Sequence, residues 1–183
     1  MVCCRSGRKY VLNGKRVAIL VEEGFEDSEL VETTRALREA GIRVVTVGSG
    51  SQPCYRGKRG SASVKPDIDA TDAQAQQFDA VVVPGGYAPD KMRLHQPMVD
   101  MVRQACNSGR VIAAICHGPQ LLISAEIVRG RRITSWPSVA VDLRNAGAHW
   151  VDEPVVRDGN IITSRKPADI PRFTKTIIEA LAT

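Results

Sequence analysis

Aromatic side chains are scarce in this chain, only 4% of 183 residues, so aliphatic residues have to build its core. No apolar run approaches the ~18 residues that a membrane-spanning helix needs, and the opening residues lack the apolar centre of a secretory leader. Cysteines number five, an odd count, and their spacing offers no disulfide framework. A reducing compartment, the cytoplasm, is therefore expected. HExxH, CxxC, GxGxxG and Walker-type loops are all missing, so no metal or cofactor is implied. Basic residues outnumber acidic ones, 25 to 20, but they fall in small separated groups: Arg5, Arg8, Lys9, Lys15 and Arg16; Arg56, Lys58 and Arg59; Arg129, Arg131 and Arg132. No zinc-finger spacing or aromatic-rich RNA-binding motif accompanies them, so nucleic acid is expected to be held weakly if at all.

What is present is an ordinary globular balance, 43% hydrophobic and 25% charged, enough at this length for one domain with a real core. Residues 1–14 read as a polar, basic N-terminal extension, and 15–183 as a single α/β domain. Apolar runs alternate with helix-like stretches. RVAILV (16–21), IRVVTV (42–47), FDAVVV (78–83) and VIAAI (111–115) are expected to be buried strands. Helices are expected over 26–40, 97–108, 118–125, 137–146 and 167–181, the first with an apolar face at Leu30, Val31, Thr34 and Leu37. Residues 48–60 suggest a loop or small hairpin and 63–68 an accessory strand, while Asp158-Gly159 marks a hairpin. This alternation indicates a doubly wound parallel sheet with helices on both faces. In such folds the ligand lies beyond the carboxyl ends of the strands, which directs attention to 22–26, 84–90 and 116–119.

The last of these is the most informative. Ala113-Ala114-Ile115-Cys116-His117-Gly118-Pro119 takes a very apolar strand to a cysteine and straight into a helix, the setting of a nucleophile elbow. A thiol facing a helix start is expected to ionise more readily than a free one. A buried, inert cysteine fits the bare pattern as well. His117 would serve as base only if the turn is irregular, because neighbours on a regular element diverge. Pro84-Gly85-Gly86 is either a plain tight turn or, with the His117 amide, an oxyanion hole. Glu22, Glu23, Glu26 and Asp27 are normal for a helix start, but one of them beside a thiolate would stay protonated and donate to sulfur. Cys106 reads as packing, Cys3 and Cys4 resemble no metal site, and His95 and His149 look like surface or packing residues.

Four segments in order, 21–30 (VEEGFEDSEL), 81–90 (VVVPGGYAPD), 114–125 (AICHGPQLLISA) and 163–169 (TSRKPAD), together resemble the PfpI family. That family belongs to the class I glutamine-amidotransferase-like superfamily, which also holds the Parkinson-linked DJ protein. The resemblance spans roughly residues 15 to 181. It implies a flavodoxin-like sandwich assembled as homodimers, sometimes hexamers. It implies Cys116 as nucleophile, His117 as its partner, Glu26 as the protonated carboxyl beside the sulfur, and the amides of Gly86 and His117 at the oxyanion position. It places Asp90 where the family supplies an acid to the histidine of a neighbouring subunit; archaeal protease members carry Glu there. The implied function is a stress-related, cofactor-free enzyme acting on small reactive carbonyls or on glycated protein or nucleotide. A cysteine peptidase and a redox sensor or stress chaperone working through oxidation of Cys116 are the alternatives.

Overall fold

The computed structural model describes residues 12–183; most of the basic extension, with Cys3 and Cys4, lies outside the described residues. The chain runs β1 (Arg16–Val21), α1 (Asp27–Glu39), β2 (Arg43–Gly48), β3 (Tyr55–Arg56), β4 (Ser63–Val64), β5 (Ile68–Asp69), β6 (Ala80–Val83), α2 (Ala88–Met92), α3 (Gln96–Asn107) and β7 (Val111–Ile115). It continues with α4 (Pro119–Ser124), β8 (Arg132–Ile133), α5 (Ala140–Asn145), β9 (His149–Trp150), β10 (Val155–Asp158), β11 (Ile161–Ser164) and α6 (Ile170–Leu181). Seven strands form one sheet in the order β10-β11-β7-β6-β1-β2-β5. All pairs are parallel except the β10–β11 hairpin. This is the flavodoxin-like winding, whose direction reverses between β1 and β6.

The four expected core strands form because their residues are apolar on both faces, as a sheet covered by helices requires. Val17 to Val21, Ala80 to Val83 and Ile112 to Ile115 are fully buried. Helix α6 closes one face with Ile170, Phe173, Ile177 and Leu181 on a single stripe, each contributing about 1.5–3 kcal/mol of burial. The expected strand over 63–68 is instead two short strands, β4 and β5, separated by Lys65-Pro66-Asp67; Pro66 has no amide to give a ladder. β4 pairs antiparallel with β3, making a small arm from part of the region read as loop or hairpin. The two-residue turn between β10 and β11 is Gly159-Asn160, one position later than the Asp158-Gly159 signal. Helix α2 and the short parallel pair β8–β9 carry no clear periodic signal, being too brief to show one.

One difference bears directly on the site. The buried face of α1 consists of Asp27, Glu29, Leu30, Thr33 and Leu37, not the stripe through Val31 and Thr34. Val31 is 48% exposed. The helix is rotated by about one residue from the apolar reading, and the rotation carries Glu29 inward.

Candidate active site

The site lies at the carboxyl ends of β1, β6 and β7, beside the winding reversal. The Ile115–Gly118 turn is tight enough that Cys116 takes φ +62°, a left-handed conformation that costs a residue with a β-carbon about 1–2 kcal/mol. Flanking hydrogen bonds hold it there. The Cys116 amide donates to the Ser164 carbonyl at 3.0 Å, its carbonyl accepts from the Trp136 amide at 2.9 Å, and the Gly118 amide closes onto Ile115 at 2.8 Å. Gly118 must be glycine, because a β-carbon there would collide with the Val83 carbonyl. Gly85 is equally constrained: its β-carbon would stand 2.7 Å from Cys116 Cβ and 2.8 Å from Glu29 Oε2.

The irregular turn does bring His117 to the sulfur, with Nδ1 at 3.3 Å from Cys116 Sγ. The ring stacks on Trp136 with centroids 6.1 Å apart, and Nε2 lies 3.4 Å from the Ser138 hydroxyl. Burial, followed by the positive charge of Lys58, holds His117 below the usual histidine value, so it is neutral at physiological pH. A β-carbon on Gly85, beside Cys116, would stand 2.9 Å from the His117 amide nitrogen, and the amides of His117 and Gly86 favour the charged form of the thiol. Asp90 sits on α2 with its side chain exposed, and within the chain the group facing His117 Nε2 is Ser138.

The carboxyl beside the sulfur is Glu29, not Glu26. Glu29 is fully buried; its Oε2 accepts from the Gly85 amide at 2.7 Å, and the carboxyl faces the Cys116 thiol. Glu26, at the start of α1, turns the other way: its oxygens meet Lys58 Nζ at 2.6 Å and Arg59 Nε at 3.2 Å. Burial outweighs the Gly85 hydrogen bond and pushes the Glu29 carboxyl up to about 7. The thiol is also pushed up, first by burial and then by the negative charge of Glu29, against the lowering by the two amides. This corrects the expectation of a readily ionised thiol. The following helix is only six residues long, and Cys116 is 5% exposed, so burial opposes the charge that a helix start favours. Two anions are excluded here, so protonation of Glu29 removes its repulsion and lets the carboxyl donate to a charged sulfur.

Lys58, one of the separated basic residues of the sequence, also stands at the site. It arrives on the β3–β4 arm through a local ladder. Phe25 bridges both Gly57 and Gly86, the Lys58 amide donates to the Phe25 carbonyl at 2.9 Å, and the Tyr87 amide donates to Gly24 at 2.8 Å. Of the other thiols, Cys106 is half-buried on α3 and contacted by Asn160, and Cys54 is exposed beside Ser63. His95 Nε2 lies 3.6 Å from the buried Glu22 carboxylate. Among the described residues no cluster of metal-ligating side chains occurs, and no helix is long and apolar enough to cross a membrane.

A flavodoxin-like sheet ending in a strained cysteine, with a histidine ring at its sulfur and a buried carboxyl beside it, defines the class of α/β proteins with a cysteine nucleophile elbow. The DJ-1/PfpI family model matches residues 15–180, and the chain belongs to that family. It is 40% identical to protein/nucleic acid deglycase 2 of Escherichia coli, covering 91% of this chain and 98% of that protein. It is 38% identical to general stress protein 18 of Bacillus subtilis, covering 92% and 98%. Among solved structures, DJ-1β of Drosophila melanogaster superimposes with a TM-score of 0.86 at 33% identity, over 92% of this chain and 90% of that one.

Proposed function

We propose that this protein is a stress-related, cysteine-dependent enzyme of deglycase or glyoxalase type, acting without cofactor on reactive carbonyls such as methylglyoxal or on the adducts they form with protein or nucleotide. The carrying observation is the strained Cys116 turn, with His117 Nδ1 3.3 Å from the sulfur and the buried Glu29 carboxyl held beside it by the Gly85 amide. The relatives named deglycase and general stress protein support the same reading.

In this reading the Cys116 sulfur attacks the aldehyde carbon as its proton passes to His117 or Glu29. The carbonyl π electrons move to oxygen, and the amides of Gly86 and His117 stabilise the alkoxide. Reprotonation gives a hemithioacetal. With methylglyoxal, neutral His117 then removes the C1 proton, an enediol forms, and a proton is returned to C2 to leave a thioester. Water hydrolyses the thioester to lactate and regenerates the thiol. Glu29, poised near neutrality, replaces Glu26 as the carboxyl of the mechanism. The site works in a reducing interior, with the chain paired to a second copy. A role for Asp90 belongs to that assembly, since Asp90 has no contact with His117 within the chain.

The peptidase alternative has one observation in its favour, the Cys116–His117 contact at 3.3 Å, but Ser138 rather than a carboxylate meets the far nitrogen. The deciding test is lactate formation from methylglyoxal. Wild-type protein is expected to produce lactate and Cys116→Ser none; absence of product from the wild type sinks the carbonyl reading, and casein hydrolysis dependent on Cys116 would put the peptidase in its place.

A further inference from the structure

Outside the groups assigned to the reaction, one cation is built into the site from a different part of the fold. Lys58 is carried by the β3–β4 arm, and the arm is pinned from beneath. Asp27 accepts from the amides of Arg59 at 3.0 Å, Ser61 at 2.9 Å and Ala62 at 2.8 Å, and from the Ser61 hydroxyl at 2.7 Å. Burial opposes the charge on Asp27, but these donors outweigh it and hold the carboxyl below its ordinary value. The Lys58 side chain then passes over the Tyr87 ring, with Nζ 5.8 Å from its centroid, and ends on Glu26. Glu26 and Tyr87 flank Gly85 and Gly86, the loop whose Gly85 amide holds Glu29 and which packs against Cys116. The Glu26 amide itself donates to the Gly85 carbonyl at 3.1 Å.

We propose that Lys58 is a positioning residue of the active site, an arm-borne cation whose field offsets the negative charge shared by Cys116 and Glu29 and so sets how readily the sulfur is charged. The inference rests on the reading of Cys116 as a reactive thiol. Two features distinguish Lys58 from an ordinary surface lysine. Its side chain is only 27% exposed, so its field is less screened than that of a free surface charge. The second is its place: Nζ lies over the ring of Tyr87, next to Gly86, and on Glu26, whose amide bonds the Gly85 carbonyl. The charge therefore stands beside the loop that holds Glu29 against Cys116, and its sign favours the charged forms of Cys116 and Glu29 and the neutral form of His117. The other charged groups facing this site are Glu26, whose negative charge works against ionisation of Glu29, and Arg59, whose side chain is 69% exposed and correspondingly screened.

The test follows the rate of Cys116 alkylation by iodoacetamide against pH, with the peptide resolved from the other cysteines by mass spectrometry. Lys58→Gln is expected to move the inflection upward by about one pH unit, which slows alkylation roughly tenfold below it. Lys58→Arg is expected to restore most of the wild-type profile, and Arg59→Gln to leave it in place. Because Lys58→Gln also strands the buried Glu26 carboxylate, a cycle with Glu26→Gln separates the two effects. If Lys58 acts on the sulfur, the double variant Glu26→Gln/Lys58→Gln titrates above Glu26→Gln alone. The double variant leaves no unpaired buried charge, so this comparison stands even where Lys58→Gln does not fold. Coincidence of the double variant with Glu26→Gln would overturn the proposal, leaving Lys58 only the neutralisation of Glu26. No substrate is used, so a flat Lys58 series with normal lactate formation refutes this inference alone, and absent lactate with the expected Lys58 shift refutes the carbonyl reading alone.

Discussion

Replacing Glu29 by glutamine should change how the stability of the fold depends on pH. The carboxyl stays protonated in the folded protein up to about 7, against 4.5 for a free glutamate. Its folded value is raised, so the folded state holds a proton that the unfolded chain has already released between those two limits. The stabilisation is complete below 4.5 and is lost as pH rises towards 7 and beyond. At about 1.4 kcal/mol per pH unit, the interval corresponds to about 3 kcal/mol. The glutamine side chain would keep an oxygen for the Gly85 amide and would carry no charge at any pH. Urea unfolding of both proteins at fixed protein concentration, from pH 4 to pH 8, isolates the effect as the difference between them. Glu29→Gln is expected to gain about 2–3 kcal/mol on the wild type over that range, a relative rise in midpoint temperature of about 4–12 °C for a domain of this size. A difference independent of pH would refute the reasoning, since it would mean that Glu29 ionises in the folded protein as it does in water.

Other consequences are as direct. Cys116→Gly should be more stable than Cys116→Ala by about 1 kcal/mol, because only alanine keeps a β-carbon in the left-handed conformation; equal melting temperatures would remove the claim of strain. Gly85→Ala should cost at least about 2 kcal/mol and abolish lactate formation, as its methyl group would press on both Cys116 and Glu29; an active, normally stable variant would show the packing to be looser than described. Phe173→Ala on α6 should lose about 3–5 kcal/mol through the cavity it leaves, without altering Cys116 alkylation in the folded protein, which calorimetry and the alkylation assay check together.

The parts legible in the sequence were those whose physics is local. The buried strands announce themselves as unbroken aliphatic runs, and the elbow shows itself because a fully apolar strand meets Cys-His-Gly-Pro with no intervening loop. Glu29 was obscured because Val31 and Thr34 make a plausible stripe with Leu30 and Leu37. The alternative stripe 29–33–37 begins with an acid and contains a threonine, so hydrophobicity alone votes against the true face. The spacing of four between Glu29, Thr33 and Leu37 was the available signal. Lys58 was hidden for a different reason. It stands between Gly57 and Arg59 in a polar stretch, and only the pairing of Phe25 with both Gly57 and Gly86 brings it to the site, a contact with no periodicity to betray it.

That pairing has a consequence for how the protein can fail. The sulfur's surroundings come from segments near residues 25, 58, 86 and 116, joined by backbone bonds across the head of the sheet rather than within any one element. Working geometry is therefore a property of the assembled whole. A lesion that loosens only the arm should leave the thiol in place and the helices intact while changing its chemistry, so that function fades before any spectroscopic sign of melting appears.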